Sequence, residues 1–123
     1  MVSEENNSTR SVVGQPAGDM RTCPVRKAMN LIGSKWKMLL LQNLGSGMKR
    51  YGELKRLLPD ISEKMLIQEL KELVASGLVA KRVYPEIPPR VEYSLTANGQ
   101  HALPVLDSVV AFGNAYMQDQ PQH

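Results

Sequence analysis

Lys64, Gln68 and Lys71 recur at spacings of three and four residues, so a helix would carry them on one face. A glutamine carboxamide can pair with adenine in a DNA major groove, and a lysine can reach guanine or phosphate. Arg90 closes the run Pro85-Glu86-Ile87-Pro88-Pro89-Arg90, a proline-stiffened tip that ends in a cation. A cation so placed can reach a backbone phosphate or the minor groove. Cys23 is the sole cysteine, with Arg21, Arg26 and Lys27 nearby in sequence. If Pro24 opens a helix, the helix N-terminus and these cations favour thiolate, the reactive form. Each feature also has a bland counterpart. Most amphipathic helices are merely solvated on the polar side, and a lone thiol can be an inert packing residue.

Other chemistry is poorly served. One cysteine excludes an intramolecular disulfide framework and a zinc cluster of cysteines. His101, the only internal histidine, has no carboxylate or cysteine at metal or catalytic spacing, and reads as a surface or interface residue. No glycine-rich phosphate loop, carboxylate pair or nucleophile–base pair stands out, so neither an enzyme nor a metal or cofactor is expected. Apolar runs such as Met38–Leu41 are four residues long, far below the ~20 of a membrane span. The N-terminus lacks the basic and apolar regions of a signal peptide. The expectation is an intracellular, cytoplasmic protein.

Charge is segregated along the chain. Residues 1–20 carry −2, residues 21–90 carry +8 from fourteen Lys and Arg against six Asp and Glu, and residues 91–123 carry −3. A basic middle between non-basic ends suits a polyanion-binding body.

The elements that must position these groups follow from periodicity. Residues 1–20, rich in Ser, Asn, Glu and Gly, read as a disordered tail, and residues 21–123 as one domain. Val25, Ala28, Met29 and Ile32 form a stripe on a short first helix. Trp36, Leu39, Leu40 and Leu44 give the buried face of a second, and Gly45 and Gly47 end it. Met48 to Arg50 suits a short strand. Tyr51 to Leu58 suits a helix with Tyr51, Leu54, Leu57 and Leu58 inward. The next helix is the best defined. Ser62 is its N-cap, Ile61 and Leu66 form a hydrophobic staple, Leu66, Leu70, Leu73 and Val74 face inward, and Gly77 ends it. Two helices about a tight turn make a helix-turn-helix. Leu78 to Tyr84 and Val91 to Leu95 read as strands of a hairpin wing, the second alternating Val91, Tyr93 and Leu95 against Glu92 and Ser94. Thr96 caps a last helical region, which Pro104 kinks or divides. That region has apolar residues on more than one face and no Lys or Arg. It suits burial against a second copy; the alternative is a helix folded back onto its own core.

Words along the chain then match a family. They are Cys23-Pro24-Val25, Ile32-Gly33 with Lys35-Trp36, Arg50-Tyr51 with Glu53-Leu54, and Ile61 to Leu66. Gly77-Leu78-Val79, Tyr84-Pro85-Glu86, Pro88 to Thr96, Gly99 and Leu103 to Leu106 continue the series. Over roughly Cys23 to Gly113 the chain resembles the HxlR-type branch of the bacterial MarR-like winged-helix transcription regulators. The resemblance implies a mainly α fold with a small β-hairpin wing, dimerising through the N- and C-terminal helices. It implies that Ser62, Lys64, Met65 and Gln68 approach the major groove of double-stranded DNA, with Arg50, Ile67 and Lys71 beside them and Arg90 at the wing. Ile67 stands where a threonine is common and offers an apolar contact to a thymine methyl in its place. Phe112 stands where a tryptophan is frequent. The dimer interface is expected at Val25, Met29, Leu106, Val109, Val110, Phe112 and Tyr116. Cys23 becomes a candidate redox sensor, and a small molecule or an electrophile a candidate effector. The expected function is a homodimeric, sequence-specific regulator on a two-fold symmetric operator. The alternative is a winged-helix protein-interaction module whose basic face meets an acidic partner.

Overall fold

A computed structural model describes residues 23–119. The expected tail over residues 1–20 lies outside them. They divide between two units, one ending at Asn30 and one beginning at Leu31. Of the first unit the described part is helical: α1 spans Pro24–Ile32 and runs into the second unit. Pro24 takes its first position, and the Cys23 carbonyl accepts the first helical bond from the Lys27 N–H at 2.9 Å.

The second unit begins with α2, Lys35–Leu44, capped by Ser34, whose Oγ accepts from the Lys37 N–H at 3.0 Å. Its buried residues are Leu40, Leu41 and Leu44. Trp36 and Leu39, expected inside, pack half-buried at the margin of the core, and Leu41 takes the inner position. Three successive leucines leave the phase of the helix open, and the packing settles it.

β1, Lys49–Arg50, leads into α3, Tyr51–Leu57. Leu54 and Leu58 are buried, but Leu57, expected inside, is turned to solvent. Leu58 lies four residues after Leu54 and falls on the same side, its N–H still bonding the Leu54 carbonyl at 3.0 Å although α3 ends at Leu57. The Lys55 ammonium donates to the Ile61 carbonyl at 2.8 Å and ties α3 to the turn before the next helix.

That helix, α4, spans Glu63–Ala75. Ser62 Oγ accepts from the Met65 N–H at 3.1 Å, and both members of the Ile61–Leu66 staple are buried. Leu66, Leu70 and Leu73 form its core row. Gly77 closes it at φ 83°, with the Gly77 N–H bonded to the Val74 carbonyl and the Leu78 N–H to the Leu73 carbonyl.

β2, Val79–Tyr84, and β3, Arg90–Leu95, pair antiparallel with Val79 opposite Leu95, and β1 adds to the far side of β3 with Lys49 opposite Tyr93. The sheet order is β1-β3-β2. The expected alternation of β3 holds only in part. Tyr93 is buried, but so is Glu92, because Arg90 neutralises it from the same strand. With strands on both sides, β3 has both edges hydrogen-bonded.

α5, Ala97–Gln100, and α6, Leu103–Asp119, follow. Thr96 Oγ1 accepts from the Gly99 N–H and donates to the Gly77 carbonyl at 2.6 Å, locking α5 to the end of α4. Pro104 stands at the second position of α6, where no helical N–H is needed, so the region is divided rather than kinked. The fold is mainly helical with a three-stranded antiparallel sheet, a winged helix-turn-helix. Among the described residues no helix is long and apolar enough to cross a membrane.

Candidate nucleic-acid interface

α4 is amphipathic. With its leucine row sunk in the core, Lys64, Met65, Ile67, Gln68 and Lys71 are exposed, as are Ser62 at its cap and Arg50 at the start of α3. Met65 and Ile67 remain 41% and 55% exposed. Such a surface matches the needs of a groove-reading helix: cations for phosphate, an amide for base edges and apolar atoms for a thymine methyl. The Arg50 N–H donates to Glu53 Oε1 at 2.7 Å, which fixes the backbone and leaves the guanidinium outside the fold.

Gln68 is engaged within the helix. Its Nε2 donates to Glu72 Oε2 at 2.6 Å, and Glu72 Oε1 accepts from the Lys37 ammonium, which arrives from α2 at 2.5 Å. The same ammonium lies 3.0 Å from Glu69 Oε1, an ion pair by distance without the alignment of a hydrogen bond. The amide of Gln68, then the ammonium of Lys37, hold the Glu72 carboxyl below its usual range. Glu72 in turn raises Lys37 against the opposing effect of burial. Gln68 and Glu72 are one helical turn apart, so that contact was open to a reading of spacing. Lys37 stands 35 residues before Glu72 and left no local signal.

Arg90 behaves unlike the free cation expected. Its guanidinium donates to Glu86 at 2.8 Å and to Glu92 at 2.9 Å, and lies 3.8 Å from the centre of the Tyr84 ring. Its side chain is 26% exposed. Two carboxylates and an aromatic face thus consume its charge and directionality, so Arg90 braces the wing. Ile87 forms the exposed tip. Lys81 and Arg82 on β2 are exposed cations of the wing, and Arg82 was not singled out from sequence.

Tyr51 Oη donates to Glu63 Oε1 at 3.4 Å across the helix-turn-helix, and burial first, then Glu63, raises its pKa. Burial, then Tyr51, does the same to Tyr93. Both phenols are held in the neutral form, and Tyr51 serves as a donor to Glu63.

The residues expected at a dimer interface separate into two sets. Val25 and Met29 on α1, and Val109, Val110, Phe112 and Tyr116 on α6, are exposed, Phe112 at 74%. Leu106 is not available for this, because it is 4% exposed and belongs to the chain's own core. Met38, Leu39, Leu106, Val109 and Val110 line an apolar groove of about 300 Å³ between α2 and α6. Cys23 is a free, half-buried thiol that immediately precedes α1. Among the described residues no group of His, Cys, Asp and Glu is arranged to hold a metal ion.

Residues 31–121 match the family model described as HxlR-like helix-turn-helix. The chain is 45% identical over 102 residues to an HTH-type transcriptional regulator of Methanothermobacter thermautotrophicus, covering 83% of this chain and 78% of that one. Among solved structures, a protein of Porphyromonas gingivalis W83 described as a transcriptional regulator of the MarR family is 48% identical, with TM-score 0.76 over 86% of this chain and all of the other. The redox regulator HypR in its oxidized form is 40% identical, with TM-score 0.72 over 76% of this chain and 96% of that one.

Proposed function

The chain belongs to the HxlR-like helix-turn-helix family of transcription regulators, and from that premise we propose that it acts in the cytoplasm as a homodimer on a two-fold symmetric operator. It is a regulator and not an enzyme, as are its family and relatives. The observation that carries the proposal is α4. One row of leucines roots it in the core, and the opposite face offers Lys64, Gln68 and Lys71 to solvent. Ser62, Met65, Ile67 and Arg50 flank that face, and Lys81 and Arg82 add cations from the wing. The exposed apolar residues of α1 and α6 support a second copy of the chain as the partner there. Cys23 supplies the oxidant-responsive thiol: its thiolate attacks hydrogen peroxide, forming a sulfenic acid as the O–O bond breaks and hydroxide leaves. The likeness to a redox regulator supports this reading.

Titration of duplex DNA against salt tests the proposal. Binding should weaken steeply with salt, and Lys64→Ala should lower affinity for all duplexes and shallow the slope. Salt-insensitive binding, or binding to acidic polypeptide in place of duplex, would return the function to a protein-interaction module.

A further inference from the structure

A glutamine that reads bases gains from being held before DNA arrives. Gln68 is so held: Nε2 donates to Glu72 Oε2 at 2.6 Å, and Lys37 pins the other carboxylate oxygen from α2. The Lys37 side chain is 13% exposed and that of Glu72 45%, so the acid is presented at the surface while its counter-ion is sunk beneath it. An ionised carboxylate only accepts hydrogen bonds. The amide nitrogen of Gln68 therefore faces Glu72, and the carboxamide cannot turn over without losing that bond. One N–H is used. The remaining N–H and Oε1 form a donor beside an acceptor, the complement of adenine N7 and N6 in the major groove. The arrangement also silences the acid. A bare carboxylate on this face would repel phosphates and accept from cytosine N4. Its two oxygens are instead occupied by Gln68 and Lys37.

We propose that Glu72, anchored by Lys37, is a positioning residue that fixes the Gln68 carboxamide in the orientation that reads adenine. The inference rests on the DNA-reading function above and names the base that this site selects. A salt bridge made only for stability would leave base preference untouched; this one sets it.

The test starts from a random-sequence duplex pool enriched by the native protein. Affinities are then measured for the enriched duplex carrying each of the four bases at the position that Gln68→Ala makes indifferent. The native protein should prefer adenine there by about tenfold or more. Glu72→Ala should cut that preference to about twofold and leave preferences at other positions unchanged. Glu72→Gln keeps an acceptor oxygen for the amide and should retain most of the preference, with thermal melting checking that each variant is folded. Full adenine preference in Glu72→Ala overturns the clamp. So does equal loss in Glu72→Ala and Glu72→Gln, which would trace the effect to charge, and so does loss at every position together, which would make Glu72 structural. If Gln68→Ala changes no position, the clamp falls and the DNA-binding function stands. If the native protein enriches nothing, that function falls and takes the clamp with it.

Discussion

Two cations, one on α4 and one on the wing, illustrate how burial and partners reassign a charge. Lys64 is an exposed cation, whereas Arg90 is spent on Glu86, Glu92 and the Tyr84 ring. Their alanine variants should therefore differ in kind. Lys64→Ala should keep native stability and weaken duplex binding. Arg90→Ala should leave Glu92 nearly buried without a partner, at a cost of about 1–3 kcal/mol in urea unfolding. The cation at the end of a stiff tip was legible in the sequence. Its fate was not, because Glu92 looks solvent-facing by alternation and Tyr84 gives no sign that it will stack. pH adds a check on Gln68. The Glu72 pKa is lowered in the fold, so its charge-assisted bond to Gln68 is at full strength above the ordinary carboxylate pKa and weakens, toward the neutral bond that Glu72→Gln would make, as pH falls through the lowered value. Base preference at that position should thus be constant across neutral pH, as measured by binding to the four single-base duplexes.

At the scale of elements, α4 was the most legible part, since cap, staple, leucine row and terminating glycine all point the same way. Gly77 holds φ 83°, which costs a residue with a side chain about 1–2 kcal/mol. Gly77→Ala should lower the melting temperature accordingly. Gly99 is constrained for another reason: an added Cβ would lie 2.1 Å from the Leu78 carbonyl oxygen. Gly99→Ala must push α5 from the start of β2 and should destabilise more than Gly77→Ala in the same melting experiment. Sequence showed that a glycine stood there but not why, since the clash is with backbone 21 positions earlier. The phase of α2 and the outward turn of Leu57 were likewise hidden, because both depend on which neighbour fills the core.

For the whole molecule, the charge map and the family words make the winged helix-turn-helix legible in the sequence. The division of α6 was only half readable: Leu106 serves this chain's own core, whereas Val109, Val110, Phe112 and Tyr116 stay exposed. Apolar residues on several faces of one helix do not reveal which face belongs to which partner. If the exposed set is the homodimer interface, Val109→Asp places an unpaired charge in it, and sedimentation should show monomer with loss of tight operator binding. The central claim, that two copies present two α4 helices to one duplex, is tested most directly by the sequence that the native protein enriches from a random duplex pool. An inverted repeat is expected, with half-site centres about 10–10.5 base pairs apart, or a multiple of that. Enrichment of a single unrepeated half-site, or of no sequence at all, would contradict it.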